Sequence, residues 1–389
     1  MKTSKSGLNK NPIPAKTTSP IVSEFQSICK AKSFSDQEVI TSFSNLLEKM
    51  DTQFKLINQV IPPKLYEILL RFFQKYKFQH IIFYSCPLLD ANFIKQLATD
   101  FHKYNTSSLS LDYCPIDRDS IIPFFSAPTL HYLSLRGNQC ITLYDFKDPK
   151  KQPAPFSPSF NNFCKAISTS TLEVLNLYGC HIGDVGAQAL ANCLYLNTFL
   201  RVLCLSKNNI GDQGAIALSE VFSYYTLNSE ENEVIGKLFE DEAKASLQRA
   251  ADECGGLSKK RKGQKSTVKK PPQGKVSTKK SQFLGKFIVT EKKINFDPDA
   301  PIKAPLVTKW HSCKEKTPGN PSDGYIFPGN TSLTVLTLDE NHITEIGANA
   351  LKKMLDYENC HIVGFSIREN PEINTVTINN LTRTIPKPE

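Results

Sequence analysis

Two stretches of this chain are copies of one pattern. LEVLNLYGCHIGDVGAQAL (172–190) and LRVLCLSKNNIGDQGAIAL (200–218) align at a spacing of 28 residues, and LTVLTLDENHITEIGANAL (333–351) repeats them after a gap of 133. A fixed period of this length marks a fold that stacks one small unit many times. The shared frame is L-x-x-L-x-L-x-x-(N/C)-x-(L/I), its first Leu counted below as position 1. Upstream it fits Phe78, Ile81, Phe83, Cys86 and Leu88, then Thr106, Leu109, Leu111, Cys114 and Ile116, then Leu130, Leu133, Leu135, Asn138 and Cys140. Downstream it fits Ile362, Phe365, Ile367 and Asn370, with Ile373 one place late, which makes seven units.

Positions 4 and 6 alternate with polar residues, so each unit holds a short strand with one face buried. An Asn at position 9 can pair backbone groups as the chain turns off the strand. Left unpaired, each buried group costs about 1–3 kcal/mol. Cys86, Cys114 and Cys180 fill the same slot and read as small core thiols rather than redox or metal residues. A helix should follow each turn, with Asp184 and Asp212 capping its start, Gly186 and Gly214 allowing close backbone approach, and Ala189, Leu190, Ala217 and Leu218 facing the sheet. In the unit at 333–351, Thr344 and Glu345 replace Gly and Asp but keep a capping hydroxyl.

Strand plus helix in 28 residues resembles the ribonuclease-inhibitor class of leucine-rich repeats. The resemblance implies an α/β solenoid, a horseshoe with a parallel sheet on the concave face and helices on the convex face, about seven repeats long. The expected organisation is a disordered N-terminus (1–20), a helical N-terminal cap (21–76), repeats 1–5 (77–227), an insertion (228–330), repeats 6–7 (331–373) and a tail (374–389). In the cap, Ser35 and Glu38 suggest a capping box, and a second helix is expected from about Pro63, with Leu65, Ile68, Leu69, Phe72, Phe73 and Tyr76 at helical spacing.

The insertion carries the charge. The chain has a formal net charge of +9, yet residues 258–286 hold eleven Lys or Arg and no Asp or Glu, leaving 36 basic against 38 acidic residues elsewhere. A folded nucleic-acid-binding face would spread its charge over a helix or sheet. Here the cations sit in one Gly-, Ser- and Pro-punctuated tract that cannot bury a core. Around it lie an acidic helix (SEENEVIGKLFEDEAKASLQRAADEC) and a Pro-rich return ending YIFPGN. Closing a loop of about 100 residues rather than about 6 costs only some 2.5 kcal/mol, so repeats 6 and 7 can still dock on repeat 5. The run LCLSKNNIGDQGAIALSEVF, the acidic helix, the Lys-rich insert and YIFPGNTSLTVLTLDENHITEIGANAL together resemble leucine-rich repeat proteins associated with motile cilia and flagella. That resemblance implies a non-enzymatic, cytoskeletal component of the ciliary axoneme.

No phosphate-binding loop, His-Glu-x-x-His or Gly-x-Ser-x-Gly is present. Trp310, His311 and Cys313 lack a second ligand pair at zinc spacing. No catalytic residue, metal or cofactor is therefore expected. With no apolar run long enough to span a bilayer and no signal-peptide core, the chain reads as cytoplasmic and not membrane-bound. The expected partners are other proteins: axonemal proteins, with tubulin among the candidates, and neither a small-molecule substrate nor nucleic acid. Protein capture is assigned to outward residues Tyr84, Tyr113, Tyr132, Arg136, Tyr178, Asp339 and Arg368, because tyrosine offers stiff contact area with a polar tip. Attachment to a polyanion such as the microtubule surface is assigned to Lys259, Lys260, Arg261, Lys262, Lys265, Lys269, Lys270, Lys279 and Lys280. The alternatives are a nuclear or RNA-associated adaptor, and a GTPase-activating repeat protein with Arg136 as its finger.

Overall fold

The computed structural model describes residues 19–138, 158–259 and 313–383, apart from 88, 228 and 359. Leu88 and Cys140 of the repeat frame, with Trp310 and His311, lie outside the described residues. The frame's strands are β1 (Gln53–Ile57), β2 (His80–Tyr84), β3 (Ser108–Asp112), β4 (Tyr132–Ser134), β5 (Val174–Asn176) and β6 (Val202–Cys204). After β7 (Tyr225–Thr226), β8 (Lys314–Thr317) and β9 (Asn320–Phe327) come two more, β10 (Val335–Thr337) and β11 (Gly364–Ser366). Eight of these strands form one parallel sheet in the order β1-β2-β3-β4-β5-β6-β10-β11.

Register explains the leucine pattern. Position 4 residues Phe54, Ile81, Leu109, Leu133, Leu175, Leu203, Leu336 and Phe365 pair strand to strand as an unbroken buried row. Each contributes about 1.5–3 kcal/mol by leaving water. A one-residue slip in any strand would turn its pair of apolar residues out, so the rows hold the register.

Two hydrogen-bond ladders run beside them. Position 8 is left-handed in every unit, at Asn58, Ser85, Tyr113, Gly137, Gly179, Lys207, Glu340 and Glu369, with φ from +51° to +69°. The N–H of each of the first seven donates to the position-7 carbonyl of the next unit, from Asn58 to Tyr84 through Lys207 to Asp339 and Glu340 to Arg368, at 2.7–3.0 Å. The second ladder is made by position 9. Asn138, Asn208, Asn341 and Asn370 donate to the carbonyls of Leu111, Leu177, Leu205 and Leu338 in the preceding unit, at 2.6–3.1 Å. The thiols of Cys86, Cys114 and Cys180 reach the equivalent carbonyls of Leu56, Phe83 and Leu135 at 3.2–3.6 Å. A hydrogen bond with Cys86, added to burial, raises the Cys114 thiol and keeps it protonated.

Helices α1 (Pro20–Ala31) and α2 (Gln37–Leu47) precede β1, and α3 (Tyr66–Lys75), α4 (Ala91–Thr99), α5 (Arg118–Ile121), α6 (Pro158–Thr169), α7 (Gly183–Leu196) and α8 (Asp212–Glu220) then alternate with the strands. The long α9 (Ser229–Lys259) follows β7, and α10 (Glu345–Leu355) and α11 (Thr375–Leu381) follow β10 and β11. The caps differ from those expected. Asp36, not Ser35, caps α2 through the Val39 N–H, 3.2 Å away. Asp184 and Asp212 do not cap their own helices but the next one. Asp184 accepts from the N–H groups of Gly211 and Gly214 at 2.6 and 2.9 Å. Asp212 accepts from the Thr344 N–H and hydroxyl and the Gly347 N–H at 2.7–2.9 Å. A carboxylate is stabilised at a helix N-terminus whichever helix supplies it. The approach is close enough that a Cβ on Gly214 would lie 2.8 Å from the Asp184 carboxylate.

Residues 21–76 are not wholly helical, because β1 lies among them as the first strand of the sheet. Eight strands, rather than seven, carry the frame. The insertion is likewise more structured than a loop where it is described: β8 and β9 form an antiparallel hairpin, and β9 pairs with β7. The Asn232 side chain ties α9 to both flanks, donating to the Leu227 carbonyl at 3.0 Å and accepting from the Tyr325 N–H at 2.6 Å. The FPGN lead into β10 has a physical reason. Gly329 sits at φ +74°, where a Cβ would meet the Val221 carbonyl at 2.6 Å. Asn330 donates to the carbonyls of Leu194 and Asn197 and accepts from the N–H groups of Ser332 and Leu333. The β11 margin of the sheet is closed by an antiparallel bridge from Phe365 to Arg383. β1 has no partner on its outer side among the described residues.

Candidate functional site

Residues between the inward positions stand on the opposite, open face of the sheet. Position 5 there is mostly small and polar: Ser110, Ser134, Asn176, Cys204, Thr337 and Ser366. Position 7 Asp residues lash this column together. Asp112 accepts from the Ser134 hydroxyl at 2.6 Å and the Arg136 N–H at 3.1 Å. Asp339 accepts from the Ser366 hydroxyl and the Arg368 N–H in the same way. Burial pushes the Asp112 carboxyl above its ordinary range although these donors favour its charge.

At the C-terminal ends of the strands, positions 7 and 8 form a continuous row. Tyr84 and Tyr113 meet edge to face at 5.3 Å, and both remain more than a third exposed. The left-handed backbone of Tyr113 lays its ring on Gly137, where a Cβ would come within 2.2 Å of it. Next stands Arg136, its guanidinium carbon 5.7 Å from the Tyr113 ring centre and 4.3 Å from that of Tyr178. The Tyr178 hydroxyl donates to Glu340 Oε1 at 2.9 Å, and Lys207 Nζ lies 3.6 Å from Glu340 Oε2. Burial opposes the Arg136 charge, but a hydrogen bond with Tyr113 and the fields of Tyr178 and Asp112 outweigh it and raise its pKa. Burial and the bond to Glu340 raise Tyr178, so its hydroxyl stays protonated and donating.

The row therefore unites four of the assigned residues: Tyr84, Tyr113, Arg136 and Tyr178. Tyr132 is not among them. It occupies position 3, pairs with Ser108 and Val174, and stands at the other end of its strand. Asp339 and Arg368 lie farther along, the carboxylate of Asp339 already engaged and Arg368 exposed. Glu340 and Lys207 were not assigned, although both occupy position 8, like Tyr113. Of the polyanion set, Lys260, Arg261, Lys262, Lys265, Lys269, Lys270, Lys279 and Lys280 lie outside the described residues, and Lys259 is the last residue of α9.

No group of three or more His, Cys, Asp or Glu side chains among the described residues could hold a metal ion. No helix among them is long and apolar enough to cross a membrane. No curated protein matches the chain. The family model for the leucine-rich repeat matches residues 169–191 and 196–219, the units of β5 with α7 and β6 with α8. The matched units are leucine-rich repeats, and both hydrogen-bond ladders run on from them in either direction along the parallel sheet.

Proposed function

We propose that the protein is a non-enzymatic interaction module that captures protein partners on the open face of its sheet, the concave side of a horseshoe-shaped solenoid. Leucine-rich repeats are interaction modules, and stacked units offer the extended surface such binding needs. The observation that carries the reading is the row from Tyr84 to Glu340, which sets aromatic rings and two cations side by side. Tyrosine and arginine are the residues that dominate binding energy at protein interfaces. Affinity capture from a cell extract tests it. The variant with Tyr84, Tyr113 and Tyr178 all changed to Ala should lose the proteins retained by the natural chain at an unchanged melting temperature, whereas Tyr132→Ala should keep them.

A ciliary setting rests on sequence resemblance to leucine-rich repeat-containing protein seventy-one, over roughly residues 130–370. Imaging the tagged protein in ciliated cells tests it, a nuclear signal favouring the adaptor alternative. The Lys-rich tract would add salt-sensitive attachment to an acidic lattice such as the microtubule. Deleting residues 258–286 should then abolish co-sedimentation with microtubules at low salt. A GTPase-activating role is disfavoured because the Arg136 guanidinium is held between the rings of Tyr113 and Tyr178, whereas a finger must be free to swing into a partner's site.

A further inference from the structure

We propose that Arg136 is a receptor for a single carboxylate, an Asp or Glu side chain of the protein partner, received between Tyr113 and Tyr178. This rests on the open face being the binding surface and adds the chemistry that the partner must bring.

Arg136 is the one member of the row whose charge is not spent within it. Glu340 is shared by the Tyr178 hydroxyl and Lys207. The Asp112 carboxylate accepts from the Ser134 hydroxyl and the backbone of Arg136, not from its guanidinium. No ion pair to Arg136 is formed among the described residues, and its Nε is closed off from solvent without an acceptor. A guanidinium is five donors in a planar fork, and a buried donor left unmade costs about 1–3 kcal/mol. The residue as a whole is half-buried, neither closed off nor free. With Nε covered, the terminal nitrogens are the end a ligand can meet.

The flanking rings decide what kind of ligand. Tyr113 and Tyr178 hold the fork against their faces and exclude water from its sides, which strengthens any pair formed there. A planar carboxylate matches the fork with two parallel hydrogen bonds. A phosphate would bring nearly two negative charges against the single positive charge of Arg136, since Lys207 is already paired with Glu340. One negative charge fits this site; two do not.

The test uses the full chain with 15N-labelled arginine and three probes: N-acetylglutamate amide, N-acetylglutamine amide and N-acetylphosphoserine amide. The glutamate probe should shift the Arg136 side-chain resonances saturably, the glutamine probe should not, and phosphoserine should bind no tighter than glutamate. Arg136→Gln should weaken glutamate binding at least about tenfold, read from Tyr113 and Tyr178 ring signals, and Arg136→Lys should weaken it less, with sheet amide signals unchanged in both. No shift at Arg136, equal shifts with glutamine, or tighter phosphoserine binding would overturn the proposal. Failure of the open-face reading would show separately, as unchanged partner capture by the triple tyrosine variant.

Discussion

Asn208 touches three units at once. Its side chain donates to Leu177 and accepts from the N–H groups of Cys180 and Ile182, while its own N–H donates to Asn341 of the following unit. Truncation strands buried backbone groups at about 1–3 kcal/mol apiece, so Asn208→Ala should cost on the order of 3 kcal/mol in denaturant unfolding. Gly137→Ala is expected to act twice. It places a Cβ in a left-handed residue, at about 1–2 kcal/mol, and it forces the Tyr113 ring off its seat. Partner capture should therefore fall more than stability does, which paired capture and melting measurements would show. The turn role of the asparagines and the outward aspect of the tyrosines were legible because each follows from one position in the frame. That Arg136 lies between Tyr113 and Tyr178 was not. It depends on register across three strands and on a glycine that gives a ring room.

Helix-to-helix capping works at the scale of the element. Asp184 and Asp212 each hold the N-terminus of a helix 27 to 135 residues later in the chain, so a cap in one unit fastens the next. Burial alone would raise the Asp212 carboxyl, but the donors from Thr344 and Gly347 win and hold it below its ordinary value. A carboxylate depressed in the folded state stabilises the fold above its unfolded pKa, and that contribution fades as pH falls below about 4. Asp212→Asn should therefore be less stable than the natural chain at neutral pH, with the difference shrinking on acidification, as parallel melts from pH 7 to pH 3 would record. The Gly-Asp pair was visible in the repeats, but its partner was not, since a side chain at the start of one helix can equally well turn to a neighbour. β1 escaped for a related reason. Asp51 and Gln59 stand where the frame wants Leu and Asn, leaving only Phe54, Leu56 and Ile61 of the pattern, and the unit declares itself through the left-handed Asn58 and its bond to Tyr84.

For the whole molecule, the notable junction is the one the sequence interrupts. β6 pairs with β10 in the same register as β5 with β6, Lys207 bonds to Asp339, and α8 caps α10, so all three kinds of contact cross the insertion unaltered. Replacing residues 260–312 by a short Gly-Ser linker should leave the melting temperature within about 2 °C and the amide protection of Leu336 and Phe365 intact, checked by hydrogen exchange. This continuity was foreseeable from loop entropy, which grows only slowly with length. The docked hairpin of β8 and β9 was not, because the pairing of Tyr225 with Phe327 joins a residue just before the insertion to one near its end. Among the described residues the two margins of the sheet are also unequal: Arg383 bridges to one, and the other ends at β1. A slab with a single sticky border can be joined border to border only in pairs, because a second copy uses up the site that a third would need. The same strand pairing that threatens open-ended fibres in two-edged sheets would here be self-limiting, with the exposed Lys55 of β1 as a further guard on that border.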